Sequence, residues 1–266
     1  MIRLIASDID GTLIKDSTPD LYPEMEEAIR QLSARGILFC AASGRQYQSI
    51  KNVFRGIEED IVFIAENGAH VRYQEQDISV TPMKRRDVEE IIKQLRGYNK
   101  SCDIVVSTPT GSLLESTNKD FINLITYGYH NKFTLVRDVL EAEAEIVKIA
   151  IYQKDSIREL GENILIPQWK DRVKVCMAGE EWVDFMDASV DKGNALTFVQ
   201  RYFGISKEET MAFGDNNNDM GMMEAAVESY AVENARPEVK AAARYSCPGY
   251  LEKGVYQVIK KKVLER

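Results

Sequence analysis

The sequence predicts an α/β protein: a Rossmann-like parallel sheet core, interrupted by an inserted α+β domain. Three observations predict it. Near both ends of the chain, short wholly apolar runs alternate with helical patterns, as strands buried on both faces of a parallel sheet require. In the middle, apolar residues instead alternate in twos or recur on one helical face, the texture of half-buried strands and amphipathic helices. Each apolar run of the first kind ends in a polar loop, and in open parallel sheets ligands bind beyond the carboxyl ends of the strands.

The elements follow in order. Leu4-Ile5-Ala6 reads as a buried strand that breaks into Asp8-Ile9-Asp10-Gly11. Pro23 opens a helix whose apolar face is Met25, Ile29 and Leu32, and Gly36 stops it ahead of a second strand, Ile37 to Ala42. Ser43-Gly44-Arg45 then leads into a helix from Tyr47 to Phe54, and Ile61 to Ala65 forms a third strand before the turn at Asn67-Gly68. Beyond it, Val88, Ile91, Ile92 and Leu95 make one helical stripe, and Phe121, Leu124, Ile125 and Tyr129 make another. Val147, Ile149 and Ile151, then Val173, Val175 and Met177, alternate as strands of an antiparallel sheet with helices on one face. After Asp187 the first texture returns with a helix carrying Leu196, Val199 and Phe203, the strand Met211-Ala212-Phe213, the run Tyr230 to Val232, and a last helix with Val255, Val258, Ile259 and Val263. The expected domains are therefore residues 1–81 with 188–266 as the core, and 82–187 as the insertion.

Composition narrows the chemistry. A net charge of −8 over 266 residues gives no general attraction for nucleic acid or for an anionic membrane, so any phosphate must be held by a local site. Cys40, Cys102, Cys176 and Cys247 have no paired spacing, and His70 and His130 are the two imidazoles, which argues against zinc and leaves carboxylate oxygen for a hard cation. The N-terminal apolar run is too short for a signal peptide and no stretch reaches the length of a membrane span, so a cytoplasmic location is expected.

Four polar loops carry the candidate chemistry. In Asp8-Ile9-Asp10-Gly11-Thr12, two carboxylates one residue apart emerge beside a glycine that lets backbone amides approach an anion. Asp8, bound to a cation, can attack phosphorus while Asp10 serves as acid and base. Ser43 and the amide of Gly44 can bind phosphate oxygen, and Lys192 can supply positive charge against two carboxylates and a phosphate. In Gly214-Asp215-Asn216-Asn217-Asn218-Asp219, Asp215 is placed to complete a magnesium site with Asp8 and the carbonyl of Asp10. A calcium loop fails on spacing, because the central glycine and distal glutamate are missing.

In this order, the four stretches resemble the motifs of the haloacid dehalogenase-like superfamily of phosphotransferases, and most closely its Cof-type branch with a type IIB α/β cap. Glu66-Asn67-Gly68-Ala69 and Glu233-Asn234-Ala235 are also similar to that branch, although many relatives have glycine where Glu233 stands. The resemblance implies a Mg2+-dependent phosphatase of a small phosphorylated metabolite acting through an aspartyl phosphate. Asp8 would be the nucleophile and Asp10 the acid/base, with Gly11, Thr12, Ser43, Gly44 and Lys192 on the phosphate. Asp215 would ligate the metal, and Asn218 and Asp219 would orient its waters and Lys192.

Two other readings stay open at this point. A phosphomutase or phosphotransferase would pass the same phosphoryl group to a hydroxyl, and a receiver-type module would hold it as a signal, though the insertion speaks against the latter. A dinucleotide enzyme is disfavoured, since no Gly-x-Gly-x-x-Gly follows the first strand. Specificity is expected from cap residues that face the site; Arg45, Lys84, Lys148, Lys174 and Trp182 are candidates that the sequence alone does not place.

Overall fold

The computed structural model describes residues 1–15, 20–98, 100–129 and 131–265, so His130 lies outside the described residues. The chain divides into two compact units, Met1–Ser79 with Asp191–Arg266, and Val80–Val190.

The apolar runs become strands because each has a helix to bury it: β1 (Leu4–Asp8), β2 (Leu38–Ala42) and β3 (Ile61–Ala65) are buried almost throughout. The helix Pro23–Ala34 between β1 and β2 starts at a proline, which tolerates the first turn, and buries Met25, Ala28, Ile29 and Leu32. β4 (His70–Tyr73) and β5 (Gln76–Val80) form the hairpin that follows. The second unit supplies β6 (Asp103–Thr108), β7 (Gly111–Leu114), β8 (Phe133–Leu135), β9 (Lys148–Tyr152), β10 (Lys174–Met177) and β11 (Trp182–Met186). The chain then returns with β12 (Thr210–Gly214), β13 (Glu228–Val232) and β14 (Tyr245–Cys247).

The first sheet has the order β14-β13-β12-β1-β2-β3-β4-β5, parallel from β14 to β3 and antiparallel from β3 to β4. Chain order reverses at β1: β2 and β3 build outward on one side, β12 and β13 on the other. That reversal leaves a crevice at the carboxyl ends of β1 and β12, the place where such sheets bind ligands. Register sets Asp8 beside Ala42 and Ser7 beside Phe213, so the loops that begin after β1, β2 and β12 leave the sheet at one level.

The helix Lys192–Phe203 brings the lysine to this edge. Its N-terminus is capped by Asp191, whose carboxylate accepts from the Gly193 amide at 2.8 Å. A methyl group at Gly193 would sit 2.3 Å from the carbonyl carbon of Gly221 in the neighbouring helix Met220–Ala225, so main chain meets main chain there and no side chain fits between.

The second sheet has the order β10-β11-β9-β6-β7-β8, antiparallel except for the parallel pair β7 and β8. Helix Arg85–Leu95 buries Val88, Ile91, Ile92 and Leu95 against Val106, Ile149, Ile151, Val183 and Phe185. Phe121 and Ile125 pack instead with Val105, Leu114 and Ala150, which alternate onto the opposite face. Helical segments thus lie on both faces of this sheet rather than one, because Val105 and Val106 are apolar neighbours and both sides of β6 need cover. Among the described residues, no helix is long and apolar enough to cross a membrane.

Candidate active site

Four chain-distant loops converge at the edge where β1 and β12 end. Asp8 is the last residue of β1, and Lys192, at the first turn of its helix, donates to Asp8 Oδ1 at 2.6 Å and to Asp219 Oδ1 at 2.7 Å. The lysine is fully buried. Burial by itself disfavours its charge, but the carboxylates of Asp219 and Asp8 more than reverse that, and its pKa lies above the usual range. Asp8 is pushed well above the ordinary carboxylate range, by burial first and by the nearby Asp219, with Lys192 working in the other direction. Burial and crowding of like charge act together here: one buried ammonium bonds two carboxylates, Asp8 and Asp219, with Asp215 close by.

The loop after β12 is held by its own carboxylate. Asp219 Oδ2 accepts from the amides of Asp215 and Asn216, each at 3.0 Å, and its other oxygen is taken by Lys192. Asp215 projects beside Asp8, where Oδ1 accepts the Thr12 hydroxyl at 3.0 Å. Carboxylate oxygens of Asp8, Asp215 and Asp219 all lie within 4.8 Å of one another. Asp8 Oδ2 is buried and finds no hydrogen-bond partner. An orphaned buried carboxylate oxygen next to a second carboxylate fits a hard, oxygen-seeking cation. Asp219 is spent on the lysine and the loop amides, so Asp8 and Asp215 are the side chains that fit the ion.

Burial, then Asp219, raises Asp215 to about 6. A carboxyl whose folded pKa exceeds its unfolded one favours the folded state while protonated, so the metal-free protein loses this stabilisation as pH climbs from about 4 through about 6. A divalent cation at these oxygens would compete with protons for them. Calorimetric titration with a divalent ion is therefore expected to show affinity rising steeply between pH 5 and pH 7, roughly the span around that pKa. A pH-independent affinity would contradict this assignment of ligands.

The remaining predicted residues divide into two groups. Ser43 Oγ accepts the Arg45 amide at 3.1 Å, which leaves its hydroxyl proton to donate elsewhere, and Gly44 stands against the side chain of Asn67. Gly11 and Thr12 are engaged within the loop: the Gly11 amide donates to the Ile14 carbonyl at 2.8 Å, its carbonyl accepts Asn234 Nδ2 at 2.7 Å, and the Thr12 hydroxyl goes to Asp215. Asn218 donates to Asn67 Oδ1 at 3.0 Å. Sequence alone assigns no role to Asn67 and Asn234. The signals for them were the Asn-Gly turn after the third strand and the asparagine after the β13 run.

Asp10 faces Arg45, whose Nε donates to Oδ2 at 2.7 Å while Nη2 donates to Oδ1. Of the other specificity candidates, Lys148 pairs with Asp184 at 3.5 Å, Lys174 donates to the Val190 carbonyl, and Trp182 Nε1 donates to the Tyr129 hydroxyl. Lys84 precedes the helix Arg85–Leu95 as its N-cap residue.

Comparison with known proteins identifies the family and the fold. Residues 5–259 match the family model described as haloacid dehalogenase-like hydrolase. The chain is 27% identical over 260 residues, covering 98% of itself and 96% of the relative, to the 5-amino-6-(5-phospho-D-ribitylamino)uracil phosphatase YbjI of Escherichia coli K12. A crystal structure from Eubacterium rectale superposes with a TM-score of 0.90 at 34% identity, covering 98% of each chain. A sugar phosphatase of HAD subclass IIB shares the fold with a TM-score of 0.77 at 22% identity, over 97% of this chain and 98% of that one.

Proposed function

The chain belongs to the haloacid dehalogenase-like hydrolase family and is a phosphatase, and we propose that it hydrolyses a small phosphorylated metabolite through a phosphoryl group carried on Asp8, with magnesium as its cation. One observation carries the reading. Asp8 has one oxygen fixed by Lys192 and the other buried without a donor, so it is oriented, poorly neutralised and poised to bond to an electrophile.

The residues divide the work by charge. Lys192 offsets the repulsion between Asp8 and an incoming phosphate, and the Ser43 hydroxyl with the Gly44 amide binds phosphate oxygen. Asp8 attacks phosphorus, Asp10 protonates the departing oxygen, and Asp10 then takes a proton from the water that releases phosphate. Magnesium held by Asp8, Asp215 and the Asp10 carbonyl would add positive charge against the phosphate and the attacking carboxylate. Asn218 and Asp219 keep the metal-side loop and the lysine in place. The relatives named for a phosphoribityl compound and for sugars support a phosphorylated sugar or polyol as the substrate class.

The test is phosphate release across a panel of phosphorylated sugars, polyols, nucleotides and cofactors, with magnesium present and then chelated. Magnesium-dependent release of inorganic phosphate without any added acceptor is expected. Equal rates after chelation would reject the metal. Transfer to an added sugar with no free phosphate would establish a phosphotransferase instead.

A further inference from the structure

We propose that Arg45 is the positioning residue for Asp10 in the second half of the reaction, the step in which water removes phosphate from Asp8. The guanidinium grips the Asp10 carboxylate through two nitrogens, Nε to Oδ2 at 2.7 Å and Nη2 to Oδ1. A fork of this kind fixes the plane of a carboxylate as well as its position, which a single hydrogen bond does not. The arginine is itself held at its backbone. Its amide donates to Ser43 Oγ at 3.1 Å, and its carbonyl accepts from the Glu66 amide at 3.0 Å, so the loops after β2 and β3 both anchor it. Asp10 itself sits in the turn after β1, where an isolated bridge pairs it with Ile14. The side chains of both partners are part-exposed, at 21% and 29%, so a packed wall does not fix the carboxylate and the fork can.

The fork bears on release. Both Asp10 oxygens accept from the guanidinium, so losing it lets the carboxylate turn away from the water it must meet. In the release step the water oxygen bonds to phosphorus, the bond from phosphorus to Asp8 breaks, and its electron pair returns to the Asp8 carboxylate. The water proton passes to Asp10, which leaves inorganic phosphate and a protonated Asp10 ready for the next leaving oxygen. Losing the fork therefore slows release more than it slows the attack by Asp8, above all when the leaving group needs no proton.

This inference rests on the aspartyl-phosphate reading, and p-nitrophenyl phosphate separates the two, because its phenolate leaves without acid help. Rapid mixing of Arg45→Ala with that substrate is expected to give a burst of about one nitrophenolate per enzyme, followed by turnover about 10²-fold slower than wild type, the low end of what a general base contributes. Arg45→Lys, which keeps the charge and loses the fork, is expected to show the burst too. Guanidinium added to Arg45→Ala is expected to restore the slow phase. A slow variant with no burst and no rescue would mean that Arg45 only supports the loop, and would overturn the proposal while leaving the covalent intermediate standing. Failure to trap phosphate on Asp8 in either the wild type or the variants would remove both.

Discussion

Asp8→Asn is expected to lower turnover by about 10⁴-fold or more and to leave the protein folded, since removal of a nucleophile abolishes a covalent pathway and leaves only binding and electrostatics behind. The same change has a second, opposite effect. Asp8 is pushed above its ordinary range by burial and by Asp219, so its folded pKa exceeds its unfolded one. The folded state then holds the extra proton, and stability falls as pH rises from the ordinary carboxylate range through that raised value. At neutral pH and without metal, the wild type bears this cost and the amide does not. Thermal melts in a chelator should place Asp8→Asn at or above the wild type, and added magnesium should raise the wild type more. A variant with near-normal hydrolysis of a generic phosphate ester would remove Asp8 from the mechanism.

Lys192→Met is the second large effect, and it acts on stability as well as on rate. The ammonium is fully buried between Asp8 and Asp219, with Asp215 alongside, and a neutral replacement leaves the carboxylates facing one another without compensation. Removing one partner of a buried ion pair costs about 3–5 kcal/mol. Turnover should fall by about 10³-fold, the loss expected when a donor aimed at developing charge is deleted. Trp169 and Trp182 both belong to the unit Val80–Val190. Urea unfolding should therefore shift in far-UV circular dichroism while the tryptophan signal changes less. A double variant with Asp8→Asn should lose less than the two single changes added together, because they share a contact. Full additivity would mean that the ion pair has no energetic content.

The site was largely legible because a parallel sheet writes its strands as apolar runs and its functional loops as the residues that follow them. Asp8, Ser43 and Asp215 could each be found by looking one or two residues past such a run, and Asp219 by the acidic loop it closes. Lys192 was visible as a charge ahead of a helix, but not as a buried group, since its partners Asp8 and Asp219 come from chain-distant loops. Arg45, a candidate that the sequence alone does not place, is found on Asp10, because the loop after β2 turns it back toward β1. The bond between Asn67 and Asn218 joins residues 151 positions apart, and nothing local in either stretch announces it. In the second unit the run Ile104-Val105-Val106 is the element whose two apolar faces place helices on both sides of the sheet.

The place of β1 in the sheet has a consequence for biosynthesis. This strand is made before the intervening unit, yet one of its two neighbours, β12, follows only after every residue of that unit has been made. Until then one flank of Leu4-Ile5-Ala6 has unclaimed amides and carbonyls, the kind of margin that recruits stray strands. A nascent chain halted before Thr210 would thus be both sticky and inert, and catalytic competence would arrive in a single late event.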